Sequence, residues 1–222
     1  MEIKCLASSS KGNAYLLILE GHKVLLDCGI PYKRLILELQ KLEISIIEID
    51  LCLVSHEHKD HSLSLERLKN FIPCFNPSNL ADFEVLSVGW GTITPIPLKH
   101  GETANYGYLI ETEEGNILYA TDFSVCEYKI EKPIDYLLVE CNYVEEKIDG
   151  KEDYKTIRQI STHMGLDSLC YHLHNVFNIS RCKEIYLMHL SDGYSDEEVM
   201  RSVIQSIFNK KTYVCGKNGG VR

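Results

Sequence analysis

The sequence lacks the features that would place the protein in a membrane or on a secretory route. No apolar run approaches the roughly 20 residues that a membrane-spanning helix needs. The first residues, Met-Glu-Ile-Lys, have no signal-peptide pattern. The nine cysteines form no CxxC pair and their number is odd, so a disulfide framework is not expected. We interpret all nine as small buried side chains, and we expect a cytoplasmic protein without a membrane partner.

Positive charge is also scarce. The chain has 23 Lys and Arg residues against 32 Asp and Glu residues, which gives a formal net charge of −9. A protein that binds long duplex nucleic acid usually presents a basic stripe, and the best cation cluster here, within residues 210–222, is sparse. The charge balance therefore favours a small anionic substrate over a long polymer.

No repeat, low-complexity tract or linker interrupts the 222 residues, so we expect a single domain over residues 1–222. Apolar runs predict strands at 2–7, 14–19, 22–27, 51–54, 92–98, 106–111, 116–120, 136–139, 184–188 and 212–215. Helical signals occur at Pro31, Ser64, Leu166 and a capping box of Ser195 with Glu198. This order predicts an α/β fold, a four-layer αββα sandwich of two sheets with helices outside.

The most informative segment is residues 55–61, Ser-His-Glu-His-Lys-Asp-His. Four potential metal ligands fall within six positions: His56, His58, Asp60 and His61. Imidazole nitrogens combined with a carboxylate oxygen suit zinc, manganese or iron. The apolar run before them predicts a buried strand, so the ligands lie at the carboxyl end of a strand, where α/β proteins place their sites. The alternative interpretation is a solvated polar loop that binds no metal.

Four residues in one loop cannot complete two metal sites, so further ligands are expected where later strands end. His100, Asp122 and His189 meet this expectation, because each follows an apolar run. Taken singly, each could be a core or rim residue. Taken together with the loop, their placement favours metal binding.

These residues resemble a known family. The 55–61 segment matches the HxHxDH signature of the metallo-β-lactamase-fold hydrolases. His100, Asp122 and His189 match the later ligands of that family in order, and Asp27 resembles an early Asp-x-Gly element that supports the metal loop. The resemblance covers almost the whole chain. It implies the αββα fold and two divalent metal ions, usually zinc, with manganese or iron(II) as alternatives.

The resemblance also implies how the metals are held. The first metal would bind His56, His58 and His100, and the second Asp60, His61 and His189. Asp122 would bridge both, as an aspartate does in the phosphodiesterase and glyoxalase II branches. Such a bridge holds two metals roughly 3.5–4 Å apart, which suits in-line attack on phosphorus by a metal-bound hydroxide. Asp60 would bind one metal and orient this nucleophile.

The leaving group of a phosphodiester needs a proton, and His163 is the candidate donor. Its loop resembles the ribonuclease Z arrangement, in which a histidine precedes the last metal-binding histidine. Glu140 resembles the glutamate that partners that histidine, although the residues around it differ from the ribonuclease Z pattern. The alternative for His163 is simple helix capping. His172 lies off the apolar stripe of its helix and is expected to face solvent.

Within the family, residues 7–14, 140–142 and 162–164 resemble the YycJ/WalJ-like group, which includes DNA exonucleases and phage-type enzymes that degrade cyclic nucleotides. The Ser8–Asn13 turn is either an anion cradle or a plain hairpin turn. We expect phosphodiester hydrolysis in a small nucleotide, such as a 3′,5′-cyclic nucleotide, by a homodimer. The alternatives are a DNA or RNA nuclease, with nucleic acid as partner, and a glyoxalase II-like thioesterase that would not need His163.

Overall fold

The computed structural model describes residues 1–19, 21–148, 150–151 and 153–222. Contacts between Cα atoms divide the chain into two compact units, residues 1–81 with 215–222 and residues 82–214. Each unit is built on one β-sheet. The single domain expected over the whole chain stays a prediction.

The first unit has a five-stranded sheet whose strands follow chain order. The strands are β1 (Glu2–Ala7), β2 (Ala14–Leu19), β3 (His22–Leu26), β4 (Leu51–Leu53) and β5 (Cys74–Phe75). The pairs from β1 to β3 are antiparallel, and the pairs from β3 to β5 are parallel. Because β3 and β4 are parallel, the segments that leave their carboxyl ends start at the same edge of the sheet.

The helices of the first unit are α1 (Tyr32–Lys41), α2 (Lys59–Ser62) and α3 (Leu65–Leu68). Helix α1 begins after Pro31 as predicted, since the fixed φ of proline suits a helix start. Leu35 and Leu39, one turn apart, are fully buried against core residues such as Leu16 and Leu25. Burial of each leucine contributes about 1.5–3 kcal/mol, which fixes this helix to the sheet.

The second unit has a seven-stranded sheet in the order β12-β11-β10-β9-β8-β7-β6. The strands are β6 (Leu86–Val88), β7 (Gly91–Pro97), β8 (Tyr106–Thr112), β9 (Gly115–Ala120), β10 (Tyr136–Glu140), β11 (Glu184–Met188) and β12 (Lys211–Val214). Strands β6 to β9 pair antiparallel and β9 to β12 pair parallel. The parallel part is almost continuously buried, as expected of strands covered on both faces.

The helices of the second unit are α4 (Tyr154–Thr162), α5 (Leu166–Asn175) and α6 (Glu197–Phe208). Leu169 of α5 and Ile204 of α6 belong to the same buried cluster as Leu137 and Leu187 of the sheet. No helix in the described ranges is long and apolar enough to cross a membrane.

Most predicted elements are present within two residues of their expected ends, but the start of α6 was predicted wrongly. The predicted capping box of Ser195 and Glu198 is not the cap. The Asp196 carboxylate accepts a hydrogen bond from the Val199 N–H, and the Ser195 hydroxyl donates to the Ser191 carbonyl. Asp196 has an extended backbone and lies one position nearer the helix, so its side chain reaches the first turn.

Helix α4 was not predicted, because its amphipathicity is inverted. Tyr154, Ile157 and Ile160 are exposed, whereas Thr156 is buried. Sequence periodicity detects a helix by its inward apolar stripe, and α4 has none. A local signal was present, since Asp153 accepts hydrogen bonds from both the backbone N–H and the hydroxyl of Thr156, as a capping residue does.

The expectation that His172 faces solvent was wrong. Its side chain is buried, with Nδ1 2.7 Å from the Ser168 carbonyl oxygen and Nε2 accepting a 3.1 Å hydrogen bond from the Cys126 N–H. Burial lowers the pKa of His172, although the bond to Ser168 opposes the shift. The loop that carries Cys126 packs on this face of α5, a tertiary contact that helix periodicity cannot reveal.

Candidate metal centre

In the first unit, residues 55–61 carry four predicted metal ligands and are called the ligand loop below. This loop follows β4 and runs into α2. His56 and His61 are buried, and the Asp60 side chain is one-quarter exposed. Nε2 of His56 lies 2.9 Å from Nδ1 of His58, and Nε2 of His61 lies 3.5 Å from the Asp60 carboxylate. The four predicted ligands of this loop therefore lie together as two adjacent pairs.

Asp27 holds this loop in place, as the resemblance implied. It is buried, follows β3 and has a positive φ of 56°. Its Oδ1 accepts from the Ser55 N–H at 2.7 Å, and its Oδ2 lies 2.5 Å from Nδ1 of His61. With the proton on Nδ1, a neutral His61 carries its lone pair on Nε2, the form that binds a metal ion. Nε2 lies 3.1 Å from the Asn13 amide nitrogen.

The Ser8–Asn13 turn supports the same loop. The Asn13 N–H donates to the Asp60 carbonyl at 2.7 Å. Other backbone donors of the turn bond within it: the Gly12 N–H to the Ser9 carbonyl, the Ser9 N–H to the Asn13 side chain and the Lys11 N–H to the Ser9 hydroxyl. Because these donors are engaged internally, we interpret the turn as a brace for this loop, and the anion cradle stays the alternative.

Gly29 allows two backbone segments of the first unit to touch. A Cβ atom at this position would lie 1.7 Å from the Asp60 carbonyl oxygen and 2.5 Å from the His61 nitrogen. Any side chain would therefore push the ligand loop away. Glycine is required at this position because the backbone of residue 29 lies against the backbone of Asp60 and His61, with no room for a Cβ atom.

In the second unit, the predicted site residues cluster where parallel strands end. Asp122 follows β9, Glu140 ends β10 and His189 follows β11. Together with His163 they offer one donor atom each, all within 4.8 Å of one another. Asp122 and His189 have φ values of 50° and 52°, a left-handed conformation uncommon outside glycine that turns the chain sharply at the strand end.

Glu140 is the centre of this cluster. It is fully buried, and its Oε1 lies 2.7 Å from Nδ1 of His163 and 2.9 Å from Nδ1 of His189. Its Oε2 accepts from the N–H groups of Phe123 at 2.9 Å and Met164 at 3.2 Å. Burial alone would raise the pKa of Glu140, but the charge of His163 and the hydrogen bonds of His163 and His189 lower it below its ordinary value. The carboxylate is therefore ionised and orients both rings.

The pKa of His163 is shifted in the opposite direction, upward. Burial alone would lower the pKa of His163, but the charge and hydrogen bond of Glu140 raise it above the ordinary value. Its imidazole ring stacks on that of His189 with a centroid distance of 5.3 Å. A histidine protonated more readily than usual beside Asp122 and His189 has the properties of a general acid.

His100 follows β7 and is held by α4. Its Nδ1 lies 2.9 Å from the carbonyl oxygen of Thr162, the last residue of that helix, and its Nε2 lies 3.9 Å from the Asp122 carboxylate. Burial lowers the pKa of His100, although Asp122 opposes the shift. A neutral ring that donates from Nδ1 presents the Nε2 lone pair toward Asp122, as a metal ligand requires.

Three supporting residues were not predicted from the sequence. The amide nitrogens of Asn13, Asn105 and Asn142 donate to the main-chain oxygens of Asp60, Asp122 and His189, at 3.2, 2.6 and 2.7 Å respectively. Each asparagine thus fixes the backbone of one predicted ligand. The only available signal was the position of asparagine in a turn or at a strand end.

The donor chemistry fits divalent metal ions in both units. Imidazole nitrogens and carboxylate oxygens are grouped, most of them on buried side chains, and several are oriented by second hydrogen bonds, which is how proteins prepare such ligands. The donors are hard to borderline, so zinc, manganese and iron suit them better than a soft ion. Which residues hold which metal stays a prediction.

Comparisons with known proteins find one family model and several similar solved structures. The family model described as Anti-Pycsar protein Apyc1 matches residues 5–79. No curated protein sequence matches the chain. The metallo-β-lactamase fold protein YhfI from Bacillus subtilis is 17% identical with a TM-score of 0.71, over 99% of this chain and 98% of that one.

Two further solved structures are similar. The short form of human tRNase Z is 13% identical with a TM-score of 0.65, over 100% of this chain and 98% of that one. A diphosphatase of the PhnP family is 16% identical with a TM-score of 0.61, over 89% of each chain. Similarity over most of the chain confirms the predicted α/β class: the protein has the metallo-β-lactamase fold.

Proposed function

We propose that the protein is a dinuclear metal-dependent phosphodiesterase that hydrolyses a small nucleotide, most specifically a 3′,5′-cyclic nucleotide. The observation that carries the proposal is the buried Glu140–His163 pair beside Asp122 and His189. Many hydrolases use metal ligands alone. A proton donor next to the ligands is needed when the leaving group is a strongly basic alkoxide, as the ribose oxygen of a cyclic nucleotide is.

The metal part of the proposal takes all seven predicted residues as ligands of two divalent metal ions. The ligands are His56, His58, Asp60, His61, His100, Asp122 and His189. Two bound divalent ions, zinc or alternatively manganese or iron(II), would activate water and neutralise the phosphate oxygens. Asp60, which reaches solvent from its loop, would accept a hydrogen bond from the attacking water and so orient it.

The chain's own residues then complete the cleavage. His163 would donate the proton on its Nε2 to the departing ribose oxygen. Glu140, 2.7 Å from Nδ1 of the same ring, stabilises the imidazolium before transfer and fixes its direction. The leaving group of a thioester is a thiolate, which needs no such proton at neutral pH. The Glu140–His163 pair therefore favours a phosphodiesterase over a glyoxalase II-like thioesterase.

Two further observations support a small nucleotide. The net charge of −9, without a strong basic stripe in the sequence, disfavours a grip on long polymers. The family model that matches residues 5–79 is associated with cyclic-nucleotide degradation. The homodimer and the cytoplasmic location stay predictions.

The test is a substrate panel with metal-stripped protein reloaded with Zn²⁺ or Mn²⁺. It contains 3′,5′-cyclic nucleotides, single- and double-stranded DNA, a tRNA precursor and an acyl-glutathione thioester. We expect metal-dependent release of nucleoside monophosphate from the cyclic substrates and about two metal ions per chain by elemental analysis. His189→Ala should lose the hydrolysis and lower the metal content, whereas the exposed His174→Ala should change neither. Hydrolysis of the thioester alone would overturn the proposal. Cleavage of DNA or tRNA alone would overturn the small-nucleotide substrate and show a nuclease instead.

A further inference from the structure

We propose that Asn142 and Gln159 are positioning residues that keep the Glu140 carboxylate aimed at His163. The inference rests on the proposed function, in which His163 protonates the leaving group. Neither residue touches the reacting atoms. They act through Glu140, because Gln159 fixes the orientation of the Asn142 side-chain amide and that amide contacts the Glu140 carboxylate.

Asn142 links three segments of the second unit. Its amide nitrogen lies 3.1 Å from Glu140 Oε1, 2.7 Å from the His189 carbonyl oxygen and 3.3 Å from His189 Nδ1. Its own backbone N–H donates to the Met164 carbonyl at 2.7 Å, and its carbonyl accepts from the Ser191 N–H at 2.8 Å. The residue therefore ties the end of β10 to the loops that carry His163 and His189.

The direction of the Asn142 amide matters because its two ends differ. The nitrogen end faces two acceptors, Glu140 and the His189 carbonyl. If the amide turned over, its oxygen would face these same acceptors, and the buried carboxylate would meet a repulsive partner in place of a donor. The correct orientation supplies Glu140 Oε1 with a third donor besides the two imidazoles.

Gln159 sets that orientation from helix α4. Its side-chain nitrogen donates a short hydrogen bond to the Asn142 side-chain oxygen, which leaves the amide nitrogen to face Glu140. The carbonyl of the same residue accepts from the His163 N–H at 3.0 Å. One residue therefore fixes both the backbone of the proton donor and, through Asn142, the carboxylate that orients its ring.

The consequence is specific to leaving-group protonation. Without the Gln159 donor, the Asn142 amide can turn, and the Glu140–His163 hydrogen bond loses its alignment. Substrates that leave as basic alkoxides need this proton, whereas p-nitrophenolate leaves without it. Outer-shell partners of this kind typically change activity by 10- to 100-fold, so we expect an effect of roughly tenfold or more on kcat for the cyclic substrate.

The decisive variant is Gln159→Glu, which keeps the shape of the side chain but places an acceptor against the Asn142 oxygen. Arg158→Gln is the matched control, because it also makes the net charge one unit more negative, at an exposed neighbouring position of α4. We expect Gln159→Glu to lower kcat per bound metal ion for 3′,5′-cyclic nucleotides roughly tenfold or more, with little change in KM or in the rate for a p-nitrophenyl phosphodiester. Arg158→Gln should match the wild type.

A second measurement does not depend on activity. In ¹⁵N-labelled protein, the Nδ1–H of His163 held by Glu140 should give a hydrogen-bonded signal that is assigned by its loss in His163→Gln. Gln159→Glu should shift or broaden this signal, and Arg158→Gln should leave it unchanged. If Gln159→Glu does not fold, Gln159→Met removes the donor without adding charge and serves in the same comparison.

The two measurements separate the inference from the proposed function. If the His163 signal depends on Gln159 but no phosphodiester is cleaved, the positioning role stands and the proposed function fails. If cyclic nucleotides are cleaved and Gln159→Glu changes neither the leaving-group dependence nor the signal, the positioning role is wrong. In a His163→Ala background, Gln159→Glu should add almost nothing to the leaving-group effect; an additive loss would also overturn the inference.

Discussion

Asp27 and His61 form a buried pair, with 2.5 Å between the Asp27 Oδ2 and the His61 Nδ1 atoms. Because this bond orients a predicted metal ligand, Asp27→Asn should lower metal affinity by roughly 10- to 100-fold. A chelator competition assay measures the change. Asp50→Asn is the control, since it alters the partly exposed pair of Asp50 with His22 in the same unit. Equal affinities of Asp27→Asn and the wild type would contradict the supporting role.

The close approach at Gly29 predicts a stability loss. In Gly29→Ala the new Cβ meets the Asp60 carbonyl at 1.7 Å, so the ligand loop must move. We expect a loss of about 1–3 kcal/mol in the free energy of unfolding, measured by urea denaturation. Gly89→Ala, where no atom lies within 4 Å of the new Cβ, should change it by about 0.5 kcal/mol or less. Similar urea midpoints for both variants would contradict this prediction, because they would show that the loop moves without a loss of stability.

The buried His172 predicts a pH dependence of stability. Burial lowers its pKa in the folded chain, so the unfolded chain takes up a proton first, near its ordinary pKa of about 6.5. The stabilisation is therefore complete above that pH and is lost as the pH falls through the folded pKa. His172→Gln should flatten the decline in urea midpoint between pH 7.5 and pH 5. His174→Gln, an exposed change two residues along the same helix, should keep the wild-type slope.

The proposed acid role of His163 predicts a dependence on leaving group. His163→Ala should slow hydrolysis of 3′,5′-cyclic nucleotides by roughly 10²- to 10⁴-fold, while a p-nitrophenyl phosphodiester loses far less. Steady-state kinetics on metal-loaded protein, with the metal content of each preparation measured, checks this. An equal loss on both substrates would exclude the general-acid role.

The place of residues 55–61 in the fold was predictable because its information is local. Four donors within residues 55–61 directly follow an apolar strand, and the strand explains why they share one edge. The positions of His100, Asp122 and His189 were predictable because each follows an apolar run. The strands before them run in the same direction within one sheet, so these residues lie at the same edge of it.

Helix α4 and the asparagine amides were not predictable, for a different reason. The inward face of α4 carries Thr156 and Gln159, and the partners of these side chains come from distant segments. Asn105 likewise reaches the Asp122 carbonyl only through the folded sheet. Polar contacts of this kind have no periodic signature, so the sequence shows the residue type without its partner.

The main chain of the ligand loop is fixed independently of the ligand side chains. The N–H groups of Asn13, Asp27 and Cys28 donate to the carbonyls of Asp60, Leu53 and His61, at 2.7, 2.8 and 2.8 Å respectively. A loop shaped by its backbone keeps its path when a side chain is exchanged. Residues 55–61 are therefore a scaffold for redesign, in which the predicted donor Asp60 can be replaced, for example by cysteine, whose softer thiolate would shift the choice of metal.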